Sequence, residues 1–240
     1  MKQYAVIGDP ISHSLSPLLH NEIYNQIGTL ISYKKQQIAK SGLSSFVSNN
    51  QIKFYNVTIP HKESILPYLK SLDNIASEIG AVNCVMDQKG FNTDWLGFKY
   101  AMINNDVDIK DKNCLIIGAG GAAKAIAYTL IQSKAKSINI FNRSNNKKRN
   151  LDNWINSYGI KNNIIEIPDL IINCTPIGMW PKIELLPFNI KEIHKHQIII
   201  DTIYNPIETK WMELCRKKGA HTIGGLDMFI YQGLASAEIW

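Results

Sequence analysis

Cys114-Leu-Ile-Ile-Gly-Ala-Gly-Gly-Ala-Ala-Lys-Ala-Ile-Ala127 joins a short apolar run to a glycine-rich turn and then to a helical pattern. Cys114 to Ile117 has the length of a buried strand. Gly118, Gly120 and Gly121 allow the backbone to turn sharply. Beyond them Ala123, Ile126, Ala127, Leu130 and Ile131 recur at i, i+3, i+4, i+7 and i+8, the spacing of one buried helical face. Gly118-x-Gly120-x-x-Ala123 therefore fits the G-x-G-x-x-G/A dinucleotide fingerprint, with a strand before it and a helix after it. The glycines admit a pyrophosphate close to the backbone, and the first N–H groups of the helix attract its charge. A turn that merely packs tightly would use the same glycines, but the flanking strand and helix favour the dinucleotide.

The segment downstream sharpens the cofactor. Ser137–Phe141 reads as the next strand, and a site that prefers NAD carries Asp or Glu at its end for the ribose 2′-hydroxyl. Here Asn142-Arg143-Ser144 stands there, followed by Lys147. Two cations without a carboxylate suit a 2′-phosphate, so the expected cofactor is NADP(H). A merely basic helix start is disfavoured by the helix dipole. Ile164–Ile167, Leu170–Cys174, Gln197–Asp201 and His221–Ile223 are further short strands, and Trp211–Lys218 a helix closed by Gly219. Strands that end in polar turns with helices between them describe a doubly wound parallel sheet, with ligands beyond the strands' carboxyl ends.

Upstream, Tyr4–Ile7, Ser32–Gln36, Lys53–Val57 and Ala81–Met86 read as strands, with a hairpin turn at Gln88-Lys-Gly90. Leu43–Val47 and Asn74–Ile79 read as short helices, the second ended by Gly80. Ser16 before Pro17 predicts an N-cap to a helix with Leu19, Ile23 and Ile27 on one face. Ser14 and Ser16 read first as capping residues, and second as hydroxyls that receive a carboxylate or phosphate. Pro60 stops the third strand, and a helix is expected over Lys62–Leu66. Lys62 at its start is either a solvated surface lysine or a site lysine whose pKa the dipole would lower. Thr93 or Asp94 would cap a helix carrying Trp95, Phe98 and Met102, and the polar run Asn105–Asp108 places a domain boundary near residues 95–110. The last helix carries Leu226, Phe229, Ile230, Gly233, Leu234 and Ala237 on one face, with Gln232 off that stripe.

Composition narrows the class. A chain of 240 residues holds one large domain or two small ones. No apolar run reaches the roughly 18 residues of a membrane span, and Met1-Lys2-Gln3 leads directly into a strand, so a cytoplasmic protein without a secretory signal is expected. Cys84, Cys114, Cys174 and Cys215 lie far apart with no C-x-x-C pair, which points to four free thiols and no metal. The net charge of +6 comes from scattered lysines, with Lys147-Lys148-Arg149 the only dense run, so no nucleic-acid partner is expected.

Gly8-Asp-Pro-Ile-Ser-His-Ser-Leu-Ser-Pro17, Asn56-Val-Thr-Ile-Pro-His-Lys62, Gly80-Ala-Val-Asn83, Asn92-Thr-Asp94, the glycine turn, Asn142-Arg143-Ser144, Asn173-Cys-Thr-Pro-Ile-Gly178, Tyr204-Asn-Pro206 and Gly225-Leu-Asp-Met-Phe-Ile-Tyr-Gln232 follow one another nearly end to end. In that order they resemble the NADP-dependent shikimate dehydrogenase family. The resemblance implies an α/β substrate-binding domain over residues 1–97, completed by a C-terminal helix over 226–240, a Rossmann NADP-binding domain over 98–225, and a cleft between them. It implies reversible reduction of 3-dehydroshikimate to shikimate by NADPH, with Lys62 and Asp94 as catalytic pair. Lys62 would give a proton to the alkoxide that hydride transfer creates, and Asp94 would orient it. Ser14 and Ser16 would hold the substrate carboxylate, which replaces their reading as caps. Thr58, Asn83 and Gln232 would bind ring hydroxyls, and Tyr204 would line the site. Gly118, Ala119, Gly120, Gly121, Ala122, Asn142, Arg143, Ser144, Lys147, Thr175, Met179, Gly225 and Met228 would contact the cofactor. His61 reads as supporting structure. The expected assembly is a monomer or a homodimer acting on a small-molecule substrate.

Asp227 stands where the family often has a second glycine, and relatives usually continue past the position of Trp240 through another helix, which bears on how the first domain packs. Two rival functions are weighed. A quinate/shikimate dehydrogenase using NAD would carry an acidic residue after Asn142-Arg143, or lose the second serine hydroxyl. A non-catalytic Rossmann ligand sensor would not keep both Lys62 and Asp94.

Overall fold

The computed structural model describes residues 2–49, 51–160 and 167–240. In chain order the elements are β1 (Lys2–Gly8), α1 (Ser16–Gln26), β2 (Ile31–Gln37), α2 (Leu43–Asn49), β3 (Phe54–Val57), β4 (Ser71–Leu72), α3 (Asn74–Ile79), β5 (Cys84–Met86), β6 (Lys89–Phe91) and α4 (Asp94–Asn104). They continue with β7 (Asn113–Ile117), α5 (Gly121–Gln132), β8 (Ser137–Phe141), α6 (Asn145–Asn156), β9 (Leu170–Asn173), β10 (Ile198–Asp201), α7 (Lys210–Lys217), β11 (His221–Ile223) and α8 (Leu226–Ile239). The chain divides into two compact units, Met1–Gly97 with Ile230–Trp240, and Phe98–Phe229. The division falls inside α4 and inside α8, so the first four residues of α8 belong to the second unit.

The first unit is built on a six-stranded mixed sheet in the order β2-β1-β3-β5-β6-β4. β1 runs parallel to β2 and β3, whereas β5 is antiparallel to both β3 and β6. Ala5 and Ile7 enter one apolar core, and Tyr4 and Val6 another. That alternation is the two-residue period of a strand covered on both faces, and it explains the unbroken apolar run of β1.

The second unit has a wholly parallel sheet, β11-β10-β9-β7-β8 among the described residues. Cys114 and Ile116 face one core and Leu115 and Ile117 the other. α5 buries Ala123, Ile126, Ala127 and Leu130 against the first of these, as its spacing predicts. Strand order reverses at β7, with β8 on one side and β9 on the other, and a crevice for a ligand opens at such a point. The strand expected over Ile164–Ile167 lies, apart from its last residue, outside the described residues.

Several local expectations are corrected. No helix spans Lys62–Leu66: residues 62–65 form turns, followed by a 3-10 helix at Leu66–Tyr68. The hairpin turn sits earlier than Gln88-Lys-Gly90, at Asp87 and Gln88, which both adopt positive φ (48° and 67°), while Lys89 and Gly90 already belong to β6. Two such residues give the right-handed twist that a tight hairpin needs. α1 buries Ser16, His20 and Tyr24, while Ile27 lies beyond the helix and is exposed. In α8 the buried positions are Met228, Phe229, Gly233 and Ser236, and Leu226 and Leu234 are exposed. Polar and small residues on those helix faces pack where apolarity alone pointed elsewhere. None of the four cysteines is in a disulfide, and Cys84, Cys114 and Cys215 are buried. Burial pushes each of those three thiols up to about 12.

Candidate active site

Strand direction gathers the candidate residues of the first unit at one edge of its sheet. β1 and β3 are parallel, so the loops carrying Ser14–Ser16 and Thr58–Lys62 leave from the same end. β5 runs the other way, which brings Asn83, just before it, to that end as well. β6 pairs antiparallel to β5 and delivers Asn92, Thr93 and Asp94 beside Asn83. Close backbone approach holds the loops together: a Cβ on Gly8 would sit 2.7 Å from Thr58 Cγ2 and 2.9 Å from the Ile59 carbonyl. The Thr58 N–H donates to the Ile7 carbonyl at 2.9 Å, and that of Asp9 to Ile59 at 3.0 Å.

Lys62 Nζ lies 2.5 Å from Asp94 Oδ2, with the two side chains 16% and 5% exposed. The other carboxylate oxygen accepts from Asn83 Nδ2 at 2.9 Å. The same nitrogen faces Thr93 Oγ1 at 2.9 Å and Gln232 Oε1 at 3.2 Å. The orientation of the Asn83 amide is set by the Thr93 N–H, which can only donate and lies 2.6 Å from Oδ1. Asn92 Oδ1 accepts from the Asp94 N–H at 3.0 Å, so Asn92 closes the start of α4 while the Thr93 hydroxyl is engaged elsewhere. Because no helix starts at Lys62, no helix dipole bears on its ammonium. The lysine is held by a carboxylate, not aimed by a helix.

Ser14 and Ser16 are both buried. The Ser16 N–H donates to Ser14 Oγ at 3.3 Å, and the Ser14 hydroxyl points to Ser16 Oγ at 3.2 Å. α1 has Leu15 at its cap position and no side-chain cap, because Ser14, two residues ahead, takes the first N–H. His61 is fully buried, and its Nε2 donates to the Ile38 carbonyl at 2.5 Å, a structural tie between loops. Sequence reasoning missed Tyr33, Asn56 and Ser236 as partners of these groups. A lone serine one helical turn beyond Gln232, in an apolar helix, was the available signal.

In the second unit Gly118 adopts φ +116°, and a Cβ there would lie 3.2 Å from the Cys174 carbonyl group and Thr175 Cγ2. The turn is thereby wedged between β7 and β9, at the reversal of strand order. Ala119 is buried, Gly120 caps α5 in an extended conformation, and Gly121 and Ala122 open the helix. A Cβ on Gly120 would meet nothing within 4 Å. Ser144 caps α6 by accepting from the Lys147 N–H at 3.5 Å, and Asn142 Nδ2 donates to the Ser144 carbonyl at 2.9 Å. Arg143 and Lys147 are exposed, and neither side chain is in an ion pair among the described residues.

Thr175 donates its hydroxyl to Asn173 Oδ1 at 2.7 Å, and Asn173 Nδ2 donates to Asp201 Oδ1 at 3.0 Å. Asp201 is fully buried and also accepts from the Ile203 N–H at 3.1 Å and the Thr209 hydroxyl at 2.8 Å. Burial pushes its carboxyl up to about 6 despite those donors. Tyr204, carried by the same loop, stacks on Phe229 at 4.2 Å between centroids. A Cβ on Gly225 would lie 2.3 Å from the Thr202 carbonyl oxygen, so only glycine fits that crossing. Met179 is half-buried, whereas Met228 is 8% exposed and packs into the core. Asp227 Oδ2 accepts from Asn104 at 3.0 Å and Asn105 at 2.8 Å, which gives the carboxylate a structural use at the position where glycine was expected. Among the described residues no three His, Cys, Asp or Glu side chains are grouped to hold a metal ion, and no helix is long and apolar enough to cross a membrane.

A glycine turn at the strand-order reversal of a parallel sheet, in a chain whose other unit holds a buried lysine–carboxylate pair, marks the class of dinucleotide-dependent α/β oxidoreductases. The family model for the shikimate dehydrogenase substrate binding domain matches residues 6–85, and that for shikimate / quinate 5-dehydrogenase matches residues 100–175. A shikimate dehydrogenase (NADP(+)) from Methanosphaera stadtmanae is 39% identical, over 98% of this chain and 89% of its own length. The chain belongs to the shikimate dehydrogenase family. A crystal structure of a shikimate dehydrogenase in complex with NADP+ superposes with a TM-score of 0.91 at 35% identity, covering 100% of this chain and 90% of that one. The Thermus thermophilus enzyme, solved in complex with NADP(H) and shikimate, gives 0.87 at 27% identity, covering 100% and 93%.

Proposed function

We propose that this protein catalyses the reversible reduction of 3-dehydroshikimate to shikimate with NADPH, a step of chorismate and aromatic amino-acid biosynthesis. The observation that carries this reading is the 2.5 Å contact between Lys62 Nζ and Asp94 Oδ2, with Asn83 on the second carboxylate oxygen. NADPH supplies a hydride when bound. The turn fits it, since Gly120 faces open space and α5 presents its unbonded N–H groups beside that space. Arg143 and Lys147, exposed and unpaired by carboxylates among the described residues, suit a 2′-phosphate, and no acidic residue competes at the end of β8. Asn142, Ser144, Thr175, Met179, Gly225 and Met228 complete the cofactor side, with Met228 acting from the core.

Hydride addition to a ketone leaves charge on its oxygen, and an acid within hydrogen-bond reach lowers the barrier. Lys62 gives the proton to that oxygen and stabilises the charge as it develops; in the reverse direction it takes the proton back. Asp94 holds Nζ in place and accepts from a neighbouring ring hydroxyl. Ser14 and Ser16 bind the substrate carboxylate, while Thr58, Asn83, Gln232 and Tyr204 contact the ring. In this reading residues 1–97 with the C-terminal helix form the substrate domain, and the parallel-sheet unit the NADP domain. Scattered lysines and cysteines outside any disulfide support a cytoplasmic enzyme, monomer or homodimer, acting on small anions without a nucleic-acid partner.

Initial rates with shikimate or quinate, each paired with NADP+ or NAD+, test the reading. The expected result is a dominant rate for shikimate with NADP+. A faster rate for quinate with NAD+ would overturn it.

A further inference from the structure

Behind Asn83 the hydrogen bonds continue away from the Lys62–Asp94 pair into the interior of the first unit, and their direction follows from groups that can play only one role. The Asn83 main-chain carbonyl can only accept, so the Asn56 atom 3.0 Å from it is Nδ2. Asn56 Oδ1 then faces the Tyr33 hydroxyl at 2.6 Å, and that hydroxyl donates. The second Nδ2 proton goes to Ser236 Oγ at 2.9 Å. Ser236, having accepted from Asn56, gives its own proton to the Gln232 main-chain carbonyl at 2.9 Å. The Thr93 hydroxyl lies 3.1 Å from Ser236 Oγ and 2.9 Å from the same carbonyl, and it accepts from Asn83 Nδ2. Tyr33, Asn56 and Ser236 are 2%, 4% and 0% exposed, so water does not substitute for a lost partner.

We propose that Ser236 and Tyr33 are positioning residues: together they seat Asn56 against the Asn83 main-chain carbonyl, and Ser236 ties down the turn that carries Gln232, so that Asn83 and Gln232 stand at fixed places beside Lys62 and Asp94. Tyr33 holds Oδ1 of the Asn56 amide and Ser236 shares Nδ2 with the Asn83 carbonyl, whose acceptor-only oxygen fixes which way the amide faces. Asn56 Nδ2 holds the Asn83 backbone, and Ser236 with Thr93 holds the turn of α8 that carries Gln232. Asn83 Nδ2, whose two protons face three acceptors, also lies 3.2 Å from Gln232 Oε1, which turns the Nε2 edge of Gln232 away from it. A ring bearing several hydroxyls would meet these fixed groups, and displacing either residue would weaken that fit.

The inference deepens the proposed function and rests on it for its kinetic arm. Ser236→Ala and Tyr33→Phe each remove one hydroxyl, and Phe keeps the ring stacked on His20 at 4.4 Å. Each is expected to raise KM for shikimate about five- to tenfold, with kcat within about twofold and KM for NADP+ unchanged. The double variant should be no worse than the weaker single one, because both act through Asn56. KM unmoved in both variants while kcat or melting temperature falls would mean a merely structural role and overturn the proposal. A ligand-free arm separates this from the functional reading: hydrogen exchange of the Asn56 side-chain amide, followed by NMR. Exchange at least about tenfold faster in both variants supports the proposal, and unchanged exchange overturns it, whether or not the wild-type protein turns over shikimate.

Discussion

Lys62 reaches Asp94 because a turn, not a helix, follows Pro60, and the Val82 N–H pins that turn by donating to the Lys62 carbonyl at 2.8 Å. The main chain of Lys62 is thus pinned at one end of the side chain, and its ammonium is held by a carboxylate at the other. In Lys62→Ala, Asp94 keeps Asn83 Nδ2 and its own backbone bond to Asn92, so the groups proposed to bind substrate remain assembled. The expected outcome is a kcat lowered by about 10³, with KM for shikimate changed less than about fivefold, measured by steady-state rates. A near-normal kcat would remove Lys62 from the chemistry. At this scale the sequence was legible wherever a residue type was tied to a motif: Lys62, Asp94, Asn83 and Gln232 meet in one hydrogen-bonded group. It was illegible for Ser236 and Tyr33, which stand in none of the motifs and whose partner Asn56 lies 180 and 23 residues away. No spacing rule reaches across such separations, and only a motif that names the residue does.

The strand–turn–helix unit of β7 and α5 separates two uses of glycine that the motif itself does not distinguish. Gly118 is required by the fold: its φ is +116°, and a side chain would press on the Cys174 backbone at 3.2 Å. Gly120 is different, since its φ of −107° and ψ of −171° suit any residue and its Cβ would meet open space. Packing does not call for glycine there, and under the proposed function the open space admits the cofactor pyrophosphate close to the main chain. Gly120→Ala should leave the melting temperature within about 1 °C of the wild type while raising KM for NADP+ at least tenfold, roughly the loss of one close phosphate contact. An unchanged KM would show that the turn packs and does not bind. Elements with a strong period, such as α5, β7 and β8, were readable because both core faces demand apolar residues at fixed intervals. The turn after Pro60 and the buried faces of α1 and α8 were not, since Ser16, His20, Gly233 and Ser236 are buried by packing and hydrogen bonds that an apolar pattern does not encode.

Across the whole molecule, the two units hide titratable groups of opposite sense. In the first, His20 is fully buried, stacked on Tyr33 and near Trp240, and desolvation lowers its pKa to about 4, partly offset by Asn56. The unfolded chain takes up a proton below about pH 6.5 that the folded unit refuses until about pH 4, so stability is full above that window and is lost as pH falls through it. In the second, burial raises Asp201 from 3.8 to about 6. There the folded unit holds a proton that the unfolded chain releases, so stability is greatest below pH 3.8 and declines as pH rises through about 6. Each window spans a little over two pKa units, roughly 3 kcal/mol at most. Moving from about pH 7 to about pH 4.5 should therefore loosen the first unit and tighten the second. Hydrogen exchange by mass spectrometry, corrected for intrinsic rates, should show β1 and α1 losing protection while β9, β10 and α7 gain it. Asp201→Asn keeps a carbonyl for Asn173 and Ile203 and should flatten only the second response; His20→Phe should flatten only the first. Parallel loss of protection in both units on acidification, unaffected by either substitution, would show that neither buried group governs how the fold answers to pH.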